Sequence, residues 1–508
     1  MTMTETVRPA ILAPNRVMIT LTVMAGVTMQ LLDTTIANVA LPHMMGSLGA
    51  TQDQIAWVLT SYIVAAAIST PVTGWIASRI GRLRYYVWAL GGFTVASALC
   101  GLAMTLPQIV LFRILQGLFG AALVPLSQAI LLDSFSRKEV PRAMGIFSMG
   151  VMVAPILGPI LGGFLTDAYS WRWCFYINVP LGILTVFGAL AFIPETVVSS
   201  GRKLDWMGFA FLSIAVTGLQ LVLDRGEQKG WFQSTEILVE ASLAVFGLYM
   251  FIVQSTTAKR PFFDPRLFQD RTFVVSTIIM LLIFVTYYGS MVLTPQMLQS
   301  ELNYPVFTAG MIMAPRGLGT IVAIFFVGRL TRLTGPRLII ALGLAISGFT
   351  LYLMSGWSQM VSPRIIIMVG LLQGAGSGMI NVPITTAAFV TLAGELRTEA
   401  TSLYNLMRNI GSAVGVSIAS SQFLEYTQIN HSRLGEFMTP FRHMPAAAEL
   451  HGPAGLELLN LSLTQQAMMI AYINMYWLLG ALCIVIIPLT LLLRTPKAEI
   501  PAPLPAGE

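Results

Sequence analysis

Long apolar runs separated by short polar breaks recur along the whole chain. Fourteen are present, over about 17–42, 54–77, 85–105, 108–132, 141–167, 174–193, 206–223, 236–254, 273–298, 306–328, 337–355, 364–392, 398–424 and 466–493. A bilayer offers no water to backbone groups, so about 20 mostly apolar residues cross it as a helix that satisfies its own hydrogen bonds. Each run predicts one spanning helix. The ten-residue alternation of a membrane β-barrel is absent. The expected class is an all-α polytopic membrane protein.

The breaks carry a second pattern. With both termini inside, 20 Lys and Arg fall in inner segments and 6 in outer ones, with Arg113, Arg316 and Arg408 left within predicted helices. Basic residues concentrate on the cytoplasmic side of membrane proteins, so the count favours fourteen spans with both ends cytoplasmic. The runs also repeat weakly. "GWIASRIGRLR" after the second span has a counterpart in "GRLTRLTGPR" after the tenth, and "ILQGLFGAALVP" in the fourth has one in "LLQGAGSGMINVP" in the twelfth. Repeated halves with a site at their interface are a transporter architecture. The division expected is a six-helix bundle over 1–204, an inserted helix pair over 205–272 and a second six-helix bundle over 273–508, with a long outer loop at 426–465.

Composition agrees with this pattern. The 508 residues are 55% hydrophobic and 10% charged, against about 25% charged in soluble domains. The net charge of +6 is spread through the breaks as a topology signal and forms no patch of the kind a nucleic-acid binder needs. The three cysteines lie scattered in apolar runs and predict packing rather than a disulfide framework. Four histidines show no metal spacing, and no phosphate-binding loop is present. The first apolar run is too long for a signal peptide and reads as a retained helix.

Chemistry is sought where polarity is costly. An ionisable group at mid-bilayer costs roughly 2.5–3.5 kcal/mol on insertion scales. Asp33 sits alone in the first run, with Gln30, Thr34 and Asn38 on the same helical face. Arg113, Gln116, Gly117, Gly120 and Ser127 share a face of the fourth span; Ser402, Asn405, Arg408, Asn409 and Ser412 share one of the thirteenth. Three polar stripes on apolar helices must avoid lipid, which predicts a hydrated central cavity. Asp33 is then a candidate proton carrier, or a static helix-to-helix bonding group. Arg113 is its candidate partner, though the two depths match imperfectly. Arg316 and Arg408 read as structural groups that snorkel toward helix ends, and Asp133, Asp167, Asp224 and Glu425 as solvated or capping residues. Glu240, in the inserted pair, reads as structural. In the fifth span, "APILGPILGG" sets Ala154, Gly158 and Gly162 in a small-residue ridge, with Pro155 and Pro159 interrupting the helix.

These motifs together resemble the fourteen-helix drug:proton antiporter branch of the major facilitator superfamily, the EmrB-type multidrug exporters of Gram-negative bacteria. "LDTTIANVALP" matches that branch at its helix 1 acid, Asp33; "RILQGLFGAA" at Arg113, Gln116 and Gly117; "APILGPILGG" at Gly158, Pro159, Gly162 and Gly163; and "WRWCFYINVP" at the entry to helix 6. The loop after helix 2 matches at Gly74, Arg79, Gly81 and Arg82, but Ser78 stands where the family has an acid that helps to latch the cytoplasmic side. The resemblance implies the major facilitator fold and export of hydrophobic or amphipathic drugs by proton antiport. Asp33 and Arg113 would couple protons, and Gln30, Thr34, Asn38, Gln116, Asn405, Arg408 and Asn409 would line the cavity. It implies no cofactor beyond the proton-motive force, and a place in a bacterial inner membrane. A periplasmic adaptor protein and an outer-membrane channel are the implied partners, with loop 426–465 as a docking surface or a passive insertion. Export of one natural metabolite, such as a fatty acid or siderophore, fits the same residues. A membrane enzyme would show a nucleophile–base or metal set, and a sensor would carry a soluble domain; neither is evident.

Overall fold

In the computed structural model, residues 15–55, 57–135, 139–195, 204–393, 396–437 and 453–493 are described. The major helices are α1 (Arg16–Leu48), α2 (Trp57–Ile80), α3 (Arg82–Leu102), α4 (Leu106–Ser134), α5 (Val140–Ala168), α6 (Trp173–Phe192) and α7 (Trp206–Arg225). They continue as α8 (Thr235–Thr257), α9 (Arg271–Ser300), α10 (Val306–Thr334), α11 (Pro336–Met354), α12 (Pro363–Val390), α13 (Arg397–Glu436) and α14 (Pro453–Ile486). Twelve helices among the described residues are long and apolar enough to cross a membrane. α5 and α13 occupy the places of the fifth and thirteenth predicted spans, so the whole is compatible with fourteen. The chain is a multi-pass membrane protein.

Local sequence explains the ends. Asp205 caps α7 by accepting from Gly208 N at 2.9 Å, and Asp270 caps α9 by accepting from Thr272 N and Phe273 N. Gly81 and Gly335 take φ of 92° and 84° at the start of α3 and α11, a conformation open to glycine. α4 is broken at Ala121 and Ala122, between Gly120 and Leu123. The inserted pair packs on itself and is clamped by Arg225, which donates to Glu240 Oε1 at 2.8 Å and Glu236 Oε2 at 3.0 Å. Glu240 is thus held by an ion pair within the inserted helices.

Helix pairing repeats with a shift of eight. α1 packs on α5 and α6, α2 on α4, and α3 on α4 and α6; α9 packs on α13 and α14, α10 on α12, and α11 on α12 and α14. The halves meet along α5–α10 and α2–α13, and α7 leans on α2 and α13. The apolar core differs between the two ends. At the basic end, one buried cluster runs through both halves, from Val23, Leu131 and Ala143 to Phe389, Leu403 and Tyr404. At the other end each half keeps its own: Ile36, Met44, Val58 and Phe175 in the first, Leu293, Met297, Phe423 and Tyr472 in the second. α5 and α10 stay close along their length, with Gly145 facing Ile324 and Gly310 facing Ile160.

One expectation is corrected. The predicted loop 426–465 is largely helix. α13 continues to Glu436 and α14 begins at Pro453, and His431 Nε2 meets Asn460 Oδ1 at 3.0 Å between the two extensions. Hydropathy falls after Glu425, but "YTQINHSRL" contains no Gly or Pro to stop the helix. Within 426–465, residues 438–452 lie outside the described residues.

Candidate functional site: a buried acid–arginine cluster

Midway along α1, Asp33 is 1% exposed and Arg113 of α4 is fully buried. Arg113 Nη1 donates to Asp33 Oδ2 at 2.6 Å, and Gln116 Nε2 and Asn178 Nδ2 each donate to Oδ1 at 2.8 Å. Arg113 also donates to Gln116 Oε1 at 2.8 Å and to Val58 O at 3.0 Å, and its guanidinium lies 4.3 Å from the centre of the Tyr62 ring. Ser97 Oγ accepts from Asn178 Nδ2 at 3.0 Å and donates to Phe175 O at 2.9 Å. Five helices of the first half thus contribute to one network, in which Arg113 Nη2 is left without a partner. The geometry is that of a charge-assisted pair with both carboxylate oxygens occupied. Two buried ions in close contact repay their desolvation only with such additional bonds.

The pairing of Asp33 with Arg113 is therefore direct. Their mismatch in sequence depth is bridged by the length of the arginine side chain, which spans more than one helical turn. The expected hydrated setting is corrected, because in this conformation the acid is enclosed. The polar stripe of α1 divides: Gln30 donates to Tyr62 Oη at 3.1 Å, Thr34 bonds back to Leu31 O, and Asn38 is exposed. On α4, Ser127 is buried against Tyr86 Oη at 3.1 Å. Sequence reasoning missed Asn178, Ser97 and Tyr62. Asn178 lay within the quoted "WRWCFYINVP", but an uncharged residue at a helix entry carries no strong signal.

The thirteenth-span stripe forms a seam between halves instead of a cavity wall. Asn405 Nδ2 donates to Gln128 Oε1 of α4 at 2.9 Å, while Asn409, one turn further along, is exposed. Arg408 and Arg316 do not snorkel. They are 7% and 6% exposed, set over the rings of Phe284 and Tyr287 at 5.6 and 4.7 Å.

At the basic end, the expectation for Asp133 is corrected. It pairs with Arg82 of its own half and with Arg397 of α13, the latter at 3.2 Å. Glu399 accepts from Asp264 N, and its Cα would lie 3.1 Å from a Cβ placed at Gly74. Ser78 only bonds back to Trp75 O, and Arg79 lies over the Trp75 ring at 5.3 Å. Asp133 thus places an acid between the halves at this end, where Ser78 offers none. In α5, a side chain at Gly158 would collide with Thr35, and one at Gly162 would press on the Ile36 backbone at 3.3 Å; Gly163 faces open space. The first two glycines set the α1–α5 crossing, and Pro159 lies between them in an unbroken helix.

Among the described residues, no group of His, Cys, Asp and Glu has the makings of a metal site. Three comparisons bear on this geometry. The chain is 35% identical over 491 residues to the fatty acid resistance protein FarB of Neisseria gonorrhoeae, covering 94% of this chain and 96% of that one. It is 33% identical to the multidrug export protein EmrB of Escherichia coli K12, covering 89% and 87%. The crystal structure of the human organic anion transporter MFSD10 superposes with a TM-score of 0.62 at 14% identity, over 92% of this chain and all of that one. Residues 23–416 match the Major Facilitator Superfamily itself. With two six-helix halves paired alike and a family match running from α1 into α13, this chain belongs to the Major Facilitator Superfamily.

Proposed function

We propose that the protein is a proton-driven exporter of hydrophobic or amphipathic compounds that works by alternating access. The observation that carries the reading is the uneven core, continuous across both halves at the basic end and divided at the other. Such a core belongs to a conformer closed on one side, and the basic side is cytoplasmic by the charge rule. Both termini would then be cytoplasmic, in a bacterial inner membrane. Kinship with a multidrug export protein over most of both chains supports export as the direction.

In this reading Asp33 carries the proton and Arg113 competes with it. Protonating Asp33 removes the charge that Arg113 holds, so the network loosens and the halves can move. One charge crossing 100 mV supplies about 2.3 kcal/mol, to which a pH gradient adds. Asn38 and Asn409 would face the cargo path, with Gln30 and Thr34 beside it, and Gln116, Asn405 and Arg408 would gate it from the closed network and seam. The outward extensions of α13 and α14 would seat a periplasmic adaptor leading to an outer-membrane channel.

A second reading, export of one natural acidic metabolite, is favoured by kinship with a fatty acid resistance protein. Both are tested by proton flux in proteoliposomes challenged with cationic, neutral and acidic amphiphiles. Flux in response to several classes supports drug export; response to one acidic compound alone supports the second reading. No substrate-dependent flux with any class would remove proton coupling.

A further inference from the structure

The second half repeats the scaffold of this cluster, but without its acid and with its arginine on a different helix. Asp33 stands nine residues before Pro42 on α1; Thr286 stands nine residues before Pro295 on α9. Counting back from Gly81 and from Gly335 by the same nineteen residues leads to Tyr62 on α2 and Arg316 on α10. Packing bears out the correspondence. A side chain at Gly117 would collide with Tyr62 O, and one at Gly374 would collide with Arg316 O, so α2–α4 and α10–α12 cross at matching points. Gln373 follows as the counterpart of Gln116, and Gly370 as that of Arg113.

The second half therefore keeps a buried arginine but carries it on its second helix instead of its fourth, and puts a threonine where the first half has its carboxylate. Arg316 is 6% exposed, and no described acid pairs with it. Nη2 reaches Ser290 Oγ at 3.3 Å, and Nε has no partner. Where the first half is filled by its ion pair, the second leaves a small cavity of about 20 Å³ beside Arg316, room for ordered water or the head of an anion in this conformation. Arg316, Thr286, Ser290, Gln373 and Asn381 line it on polar sides, with Ile283, Leu344 and Ile380 supplying apolar wall. Ser347 Oγ, also on the wall, lacks a partner as well. A buried cation left without its counter-charge is costly, and an entering anion removes that cost.

We propose that the Arg316 cavity binds the carboxylate of an amphipathic acid, the ligand supplying the charge that Asp33 supplies in the first half. The cavity widens to admit the acid, and Ile283, Leu344 and Ile380 then meet the first methylenes of its chain. This rests on the exporter reading only in making the acid a cargo; the binding itself needs no gradient.

The test is scintillation-proximity binding of radiolabelled octanoate to the full chain in nanodiscs, without a gradient. Unlabelled octanoate should compete, whereas octanol, octylammonium and chloride at equal concentration should not. Arg316→Gln should weaken binding about tenfold or more, as expected for losing a charge-assisted bond, and Arg316→Lys should recover part of it. Thr286→Asp, which places an internal carboxylate beside Arg316, should weaken it similarly. Octanoate binding equal to wild type in both Arg316→Gln and Thr286→Asp overturns the proposal. So does full competition by octanol, which marks greasy uptake, or by chloride, which marks an inorganic anion. Dye export by the wild-type protein under a proton gradient reports on the exporter reading separately, since its failure leaves the binding result standing.

Discussion

Arg113 makes no contact with solvent, and its nearest counter-charge is a single carboxylate on another helix. Removing either charge strands the other, and a stranded buried ion costs about 3–5 kcal/mol. Asp33→Asn and Arg113→Gln should each lower the unfolding temperature in detergent, and the double variant should recover much of the loss. Strict additivity of the two would show that the pair contributes no coupling. Asp33→Asn should in addition abolish drug-induced proton movement in proteoliposomes, and undiminished antiport would remove Asp33 from the coupling role. Charge made this pair legible in the sequence, since an ionisable residue in an apolar run has few explanations. The neutral members were hidden. Asn178 and Ser97 hold the carboxylate and its bonding partner in place, yet small polar residues occur throughout spanning helices and bond to their own backbone, as Thr94 and Thr185 do here.

α13 shows where element-level reading succeeds and where it stops. Its existence and its polar face followed from periodicity. Its length did not, because apolar content marks the part of a helix in lipid and not the part beyond. Nor was its N-terminal contact legible, since Asp133 and Arg397 are 264 residues apart and joined only by the fold. Asp133 holds Arg82 and Arg397 across the boundary between halves, so it ties α3 and α4 to α13. The three side chains are partly exposed, and such pairs contribute about 0.2–1 kcal/mol. Asp133→Asn should shift the balance toward opening of the basic end by a corresponding factor of about 1.4 to 5. Gln128→Cys would report this through faster labelling by a membrane-impermeant maleimide applied from that side. An unchanged labelling rate would show that Asp133 does not hold this end shut. At the other end, deleting 438–452 and trimming the extensions of α13 and α14 should weaken co-purification with an adaptor; unchanged recovery would make the extensions passive.

On the scale of the whole molecule, two similar halves have taken different charge. The first buries a balanced pair and the second buries Arg316 and Arg408 with no described acid beside them. The repeat was visible only in fragments of sequence, because packing preserves glycines at helix crossings and turns while the side chains between them diverge. The same packing makes the motion testable. If the halves rock, the contact between Gly74 and the start of α13 must part in every cycle, because a Cβ at Gly74 lies 3.1 Å from Glu399 Cα in the closed arrangement. A disulfide joins Cβ atoms about 3.5–4.5 Å apart, so a small outward give of α13 admits one here, and the native Cys100, Cys174 and Cys483 are buried and free. In a background lacking those three, Gly74→Cys with Glu399→Cys should cross-link under mild oxidant. Dye export should then fall to the level of empty vesicles and return on reduction, while either single variant remains insensitive to oxidant. Export that persists with the bond fully formed would mean that α2 and α13 never separate at this end, and rocking of rigid halves would have to give way to a motion confined to α5 and α10.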